Sequence, residues 1–123
     1  MKNTLLTLLG FVLLTPPLAA TAQQIGHFGD FTYSSDGTNV TITAYAGPGG
    51  TVTIPGTITS LPVTSIENSI GTSVFDLFSP LTSVTIPDTV TSIGQAAFRG
   101  CTGLTNVTIG SGVTSMGDFA FGF

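Results

Sequence analysis

Two stretches of the chain repeat each other. Residues 81–103 read LTSVTIPDTVTSIGQAAFRGCTG and residues 104–123 read LTNVTIGSGVTSMGDFAFGF. Leu81 aligns with Leu104, Ile86 with Ile109, Val90 with Val113, Ile93 with Met116 and Phe98 with Phe121, each displaced by 23 positions (104 minus 81). A fixed period in the twenties marks a solenoid, in which each repeat is one rung that buries its apolar side only by stacking on its neighbours.

The pattern extends upstream. Ile54-Pro55, Ile58, Ile66, Phe75, Phe78 and Leu81 follow the order of Ile86-Pro87, Val90, Ile93, Phe98, Cys101 and Leu104, with one insertion at Ser60 to Thr64 and another between Ile66 and Phe75. Residues 51–123 therefore read as about two full rungs and one that stops before the counterpart of Cys101. In the last rung Leu104, Val107 and Ile109 are expected to point inward from a short strand, with Val113, Met116 and Phe121 filling the rest of the interior. Gly94 to Arg99 is the one place per rung expected to form a short helical turn. Thr, Ser, Val, Ile and Gly dominate, which favours short strands joined by turns. Ahead of the rungs, Phe31 and Tyr33 alternate with Thr32, and Val40, Ile42 and Ala44 alternate with Thr41 and Thr43. Asp36-Gly37 between them supplies the positive φ angles of a tight turn. Residues 23–50 are thus expected to form a β-hairpin cap over the first rung, with Gly47-Pro48-Gly49-Gly50 as the turn into the repeats.

These residues carry a resemblance. LTSVTIPDTVTSIGQAAFRGC resembles the BspA-type leucine-rich repeat of bacterial surface proteins, whose rung runs through a leucine, a Val-Thr-Ile-Pro strand, Val-Thr-Ser-Ile-Gly, an Ala-Phe pair and a Cys. FTYSSDGTNVTITAYAGPGGTVTIPGTITSLPVTSI is similar to the start of such arrays, so the likeness covers residues 28–123. The buried Asn that usually follows the strand in leucine-rich repeats has no counterpart, since Thr89 and Gly112 occupy that region. The resemblance implies a β-rich leucine-rich repeat solenoid of short parallel strands, in a bacterial protein exposed at the cell surface.

The first 22 residues read differently. Lys2, the apolar run Leu5 to Leu14, Pro16-Pro17 and the small-residue site Ala20-Thr21-Ala22 form a signal-peptide pattern with cleavage after Ala22. The alternative, a membrane anchor, meets an apolar run shorter than the roughly 20 residues a span needs. Removing 22 from 123 leaves 101 residues, in which Asp30, Asp36, Glu67, Asp76, Asp88 and Asp118 face Arg99 alone, for a net charge of minus five (six minus one). Nucleic-acid affinity is dominated by phosphate neutralisation, and anionic membranes attract basic segments. Neither is an expected partner of this chain.

No catalytic constellation is legible. His27, the one histidine, precedes the first expected strand without evident partners and reads as a solvated surface residue. Cys101 aligns with the apolar Phe78 and reads as a core residue, with an intermolecular disulfide or a reactive thiol as the alternatives. Asp36, Asp88 and Asp118 read as turn or corner caps, and the carboxylates match no calcium-binding pattern. No enzyme activity, metal or cofactor is expected. Asn39-Val40-Thr41 and Asn106-Val107-Thr108 match the glycosylation pattern and are expected to be unmodified in a bacterium.

What remains is the outer side of the strands. Ser83 and Thr85 alternate with inward Val84 and Ile86, and Asn106 and Thr108 do the same one rung later. These four are the candidate binding residues. The expected function is a secreted or surface-exposed, non-enzymatic protein-binding or adhesion module acting on host, matrix or other surface proteins. The alternative is an N-terminal scaffold portion of a larger repeat protein. Phe119, Phe121 and Phe123 alternate where no polar cap follows, so an exposed apolar end and self-association are also expected.

Overall fold

The computed structural model describes residues 23–67, 73–75 and 80–122. The signal-peptide segment, most of the second insertion, and Phe78 with its alignment to Cys101 lie outside the described residues. Ten strands occur in the described part: β1 (Gln24–Phe28), β2 (Phe31–Ser35), β3 (Val40–Tyr45), β4 (Gly50–Thr53), β5 (Thr57–Ile58), β6 (Leu61–Ile66), β7 (Leu81–Ile86), β8 (Ser92–Ile93), β9 (Asn106–Ile109) and β10 (Ser115–Met116).

They form two walls. One is a three-stranded parallel sheet in the order β4-β7-β9. The other runs β1-β2-β3-β6-β8-β10, with β5 paired beside β6. Its first three strands are antiparallel and β3, β6, β8 and β10 follow in parallel, with β5 antiparallel to β6, so β3 joins cap to rungs through Val40↔Val63, Thr41↔Ser65 and Ile42↔Ile66. The 23-residue period is the register itself: Ser83↔Asn106 and Ile86↔Ile109 in one wall, Ser92↔Ser115 and Ile93↔Met116 in the other.

The cap has one strand more than the hairpin expected from sequence. β1 was hidden because Gln24–Phe28 alternates poorly, with Gly26 at its centre. That glycine makes room for the Tyr33 ring, since a Cβ there would sit 2.6 Å from the Tyr33 hydroxyl. His27 accordingly lies within a strand rather than before one, and its Nδ1 is 3.2 Å from Thr32 Oγ1 on β2. The β2–β3 connection is also longer than a two-residue turn. The last pair is Ser35↔Val40, leaving four loop residues, of which Gly37 alone has positive φ (+93°). Asp36 organises the loop. Its Oδ1 accepts from Thr38 N, Thr38 Oγ1 and Asn39 N, each at 2.8 Å, and these bonds hold the carboxyl at a pKa of about 2.

The first insertion is a second hairpin. Ile58 pairs with Leu61 across Thr59 and Ser60, both at positive φ (+53° and +72°), the two-residue turn whose twist matches that of its strands. Those five extra residues change the strand displacement from 32 (Val52↔Val84) to 27 (Ile66↔Ile93) without disturbing either wall.

Between the walls lies the core. Val52, Ile54, Ile58, Val63, Ile66, Leu81, Val84, Ile86, Val90, Ile93 and Phe98 are all buried. On the third side, turns close the two rungs whose residues are described there. Residues 95–100 form successive i→i+3 reverse turns, Ala97 N to Gly94 O and Arg99 N to Ala96 O, where a short helical turn was expected from sequence. Ala96 at φ +59° and Gly100 at φ +83° are incompatible with helical continuation. Phe119 repeats the positive φ (+56°) one rung after Ala96. The turns are themselves stacked, because Ala96, Phe98 and Gly100 donate their N–H groups to the carbonyls of Asp118, Ala120 and Gly122.

Along this side runs a column of aromatic rings. Phe31, Tyr45, Phe75, Phe98 and Phe121 follow one another with centroids 5.1, 5.2, 4.6 and 4.9 Å apart. The spacing matches the roughly 4.8 Å between neighbouring strands, so ring stacking and strand pairing share one repeat. A second column is made by threonines at the corners. Thr91 and Thr114 each donate both N–H and Oγ1–H to the carbonyl one rung before, Thr64 and Thr91 respectively, and Thr105 does so to Thr82.

The last rung differs from expectation in burial. Val107, Ile109 and Met116 are 40%, 43% and 49% exposed, although Val84, Ile86 and Ile93, their counterparts, are buried. They occupy the inward positions, but residues 104–122 are covered on one side only.

Candidate functional site

The parallel wall presents the candidate site. Register puts Thr51, Ser83 and Asn106 in one row and Thr53, Thr85 and Thr108 in the next. Between the rows Val52 and Val84 point the other way and are buried, so period-two alternation sends the six polar side chains outward. The four residues named from sequence are therefore brought together, two per rung, on adjacent strands. Sequence reasoning missed Thr51 and Thr53. Their signal was the alignment of Ile54 with Ile86, which places Thr51-Val52-Thr53 over Ser83-Val84-Thr85.

All six side chains are uncharged hydroxyls or amides, four of them threonines with a methyl beside the hydroxyl. Strand pairing holds them rung over rung, so the face costs little ordering on contact. It offers hydrogen-bond donors and acceptors worth on the order of 1 kcal/mol each when matched. It holds no group able to transfer a proton near neutral pH.

The other residues weighed as chemical sites are engaged elsewhere. Cys101 is buried, its thiol pushed up in pKa by desolvation, which leaves it protonated and weakly nucleophilic. Its N–H donates to Phe98 O at 3.2 Å, fixing it at the end of the stacked turns. Asp88 acts as the expected corner cap, accepting from Ser111 N one rung later at 2.7 Å. Among the described residues, no three His, Cys, Asp or Glu side chains gather as metal ligands, and no helix is long and apolar enough to cross a membrane.

The opposite wall carries a shallow groove of about 230 Å³ lined by Gln23, Ser34, Thr41, Thr43 and Glu67. It lies over the outer side of the cap strands, away from the six-residue face.

Comparison with known proteins agrees with this architecture. Residues 68–123 match the model of the BspA type leucine rich repeat region. A leucine-rich repeat protein from Bacteroides capillosus superposes with a TM-score of 0.67 at 30% identity, over 79% of this chain and 73% of that one. The leucine rich repeat protein of T. pallidum gives a TM-score of 0.63 at 30% identity, over 76% of this chain and 42% of that one. A leucine rich cell surface protein from Faecalibacterium prausnitzii gives 0.65 at 37% identity, over 80% of this chain and 27% of that one. The chain thus spans less than half the length of the latter two. No curated protein matches the chain in sequence. Period, register, wall order and solved relatives converge, and the chain belongs to the BspA-type leucine-rich repeat family.

Proposed function

We propose that the protein is a secreted or surface-exposed, non-enzymatic module that binds other proteins through the outer side of the β4-β7-β9 sheet. The observation that carries this reading is the two-row ladder Thr51/Ser83/Asn106 and Thr53/Thr85/Thr108, rigid, uncharged and outward-facing over three rungs. Repeat surfaces of this kind serve recognition because adjacent rungs present side chains at fixed spacing. Location outside the cell is supported by the leader pattern of residues 1–22 and by likeness to a protein described as a leucine rich cell surface protein. Non-enzymatic action is supported by the chemistry of the face and by a family whose repeats generally act as interaction modules.

The test is binding of the exported protein to immobilised extracellular-matrix proteins, with the Ser83→Lys, Thr85→Lys, Asn106→Lys, Thr108→Lys quadruple variant as the comparison. Binding by the parent and at least tenfold weaker binding by the variant is the expected result. The melting curve should be nearly unchanged, because exposed substitutions usually cost under about 0.5 kcal/mol each. Equal binding by both assigns recognition to another face.

A second reading, the scaffold portion of a longer repeat protein, is favoured by the chain's spanning 42% and 27% of two relatives. Under it the parent shows no binding of its own, and a reading frame continuing into further rungs decides in its favour.

A further inference from the structure

The seven-stranded wall carries an ordered row of its own on the side away from the core. Register aligns Ser34, Thr41, Ser65, Ser92 and Ser115 across β2, β3, β6, β8 and β10. Val40, Ile42, Ile66 and Ile93, their neighbours in the chain, are buried, so the strand period turns the five hydroxyls outward. None of the five side chains forms a hydrogen bond among the described residues. Ser34 is the most telling of them. It is only 8% exposed, yet its hydroxyl is unpartnered and opens into the groove of about 230 Å³ that it lines with Thr41 and Glu67. At that end of the row Ile25 pairs with Ser34 and is 77% exposed. Glu67 adds a carboxylate beside the row. A Cβ on Gly94 would lie 2.3 Å from Glu67 Cβ and 3.2 Å from its Oε2, so glycine there lets the Glu67 side chain lie over the next rung, toward Ser92.

The geometry points to a binding site for an extended, neutral oligosaccharide, seated along this row with its chain parallel to the solenoid axis. A hydroxyl both donates and accepts, so a line of unpaired hydroxyls is matched by a ligand whose groups do the same. Neighbours in the row are about 4.8 Å apart, the spacing of paired strands. That is close to the length of one hexose unit in a straight β-1,4-linked chain, so sugar units and rungs keep step. An α-1,4-linked chain curves away from a straight row. The Glu67 carboxylate can accept from two adjacent hydroxyls of one sugar in charge-assisted bonds, and Ile25 offers an apolar contact to the C–H side of another. Other ligand classes fit less well. The row holds no cation to meet an anionic ligand, and six carboxylates against Arg99 in residues 23–123 repel one. The lining of the groove includes no apolar residue, so a peptide's apolar side chains find no pocket there. This site lies on a different wall from the β4-β7-β9 face and takes a different ligand, so neither depends on the other.

The experiment titrates the full chain, at one fixed protein concentration, with glucose, cellopentaose and maltopentaose, and follows binding by calorimetry and by threonine-methyl NMR. Glu67→Gln and Ser92→Val variants are prepared identically. Cellopentaose should bind about tenfold or more tighter than either glucose or maltopentaose, because it alone makes hydrogen bonds on several rungs at once. The Thr41 methyl signal should shift while that of Thr85 stays in place. Each variant should weaken cellopentaose binding about five- to tenfold, the effect of losing one hydrogen bond or the charge behind one, with the parent's melting curve. Should Ser92→Val melt early, Glu67→Gln decides alone, and parent-like affinity in it overturns the inference. Absence of cellopentaose binding, equal affinity for the three sugars, or a shift of Thr85 with Thr41 unmoved overturns it as well.

Discussion

At the scale of single residues, the period decides which side chains carry chemistry and which carry packing. Cys101 illustrates this. A lone thiol in a chain that opens on a leader-like pattern invites a redox or nucleophilic role, yet it sits buried at the end of the stacked turns with its pKa raised by burial. Cys101→Val should therefore cost less than about 1.5 kcal/mol, as an apolar swap of similar volume. Cys101→Asp should unfold the rung by placing an unpaired charge in the core. Denaturant titration of the two variants checks this, and thiol labelling of the native parent should be slow. Fast labelling, or a covalent dimer as the thiol's one contribution, contradicts it. Glycines show the same logic from the other direction. A Cβ on Gly110 would lie 2.6 Å from Asp88 N, and Gly117 and Gly112 likewise abut the backbone of the rung before. These positions are glycine because rungs touch there, a contact invisible until the rungs are stacked.

At the scale of elements, the strands were the readable part and the turns were not. Alternation in LTSVTI and LTNVTI, with the 23-residue displacement, places β7 over β9 and predicts their inward and outward sides. The Ser60 to Thr64 insertion was legible as extra residues, but its form as a hairpin depends on Thr59 and Ser60 adopting positive φ, which neither residue type advertises. The same holds for Ala96, whose φ turns a helix-like AAF segment into stacked reverse turns. β1 was missed because its place is set by pairing with β2 and by a glycine under Tyr33, not by its own pattern. The aromatic column was half legible: Phe75, Phe98 and Phe121 align, whereas Phe31 and Tyr45 join only through the cap's geometry. Two substitutions separate column from surface. Phe98→Ala, at the buried centre of the column, should cost about 3–5 kcal/mol. Phe119→Asn, at an exposed position with φ +56°, should be neutral or slightly stabilising, because Asn tolerates that backbone. Similar losses from both would show that the column contributes no more than any surface aromatic.

At the scale of the whole molecule, stability and the proposed binding face both follow from stacking. Each rung is held by its neighbours, so residues 104–122 leave Val107, Ile109, Met116 and Phe119 exposed on the side that no described rung covers. We expect residues 23–123, produced by themselves, to associate with rising concentration in sedimentation velocity. Appending two consensus rungs and a polar cap should give a monomer with a higher Tm. A concentration-independent monomer with a sharp melt contradicts that expectation. The candidate binding face was legible to the extent that the repeat was: four of its six residues came from the two regular rungs, and the irregular one supplied Thr51 and Thr53. The central claim, that recognition runs through this face, is tested most directly by threonine-methyl NMR during titration with a matrix protein that the parent binds. The signals of Thr53, Thr85 and Thr108 should shift or broaden while those of Thr41 on the other wall and of Thr91 and Thr114 at the corners stay in place. Perturbation of Thr41, Thr91 and Thr114 with Thr53, Thr85 and Thr108 unmoved would contradict the account.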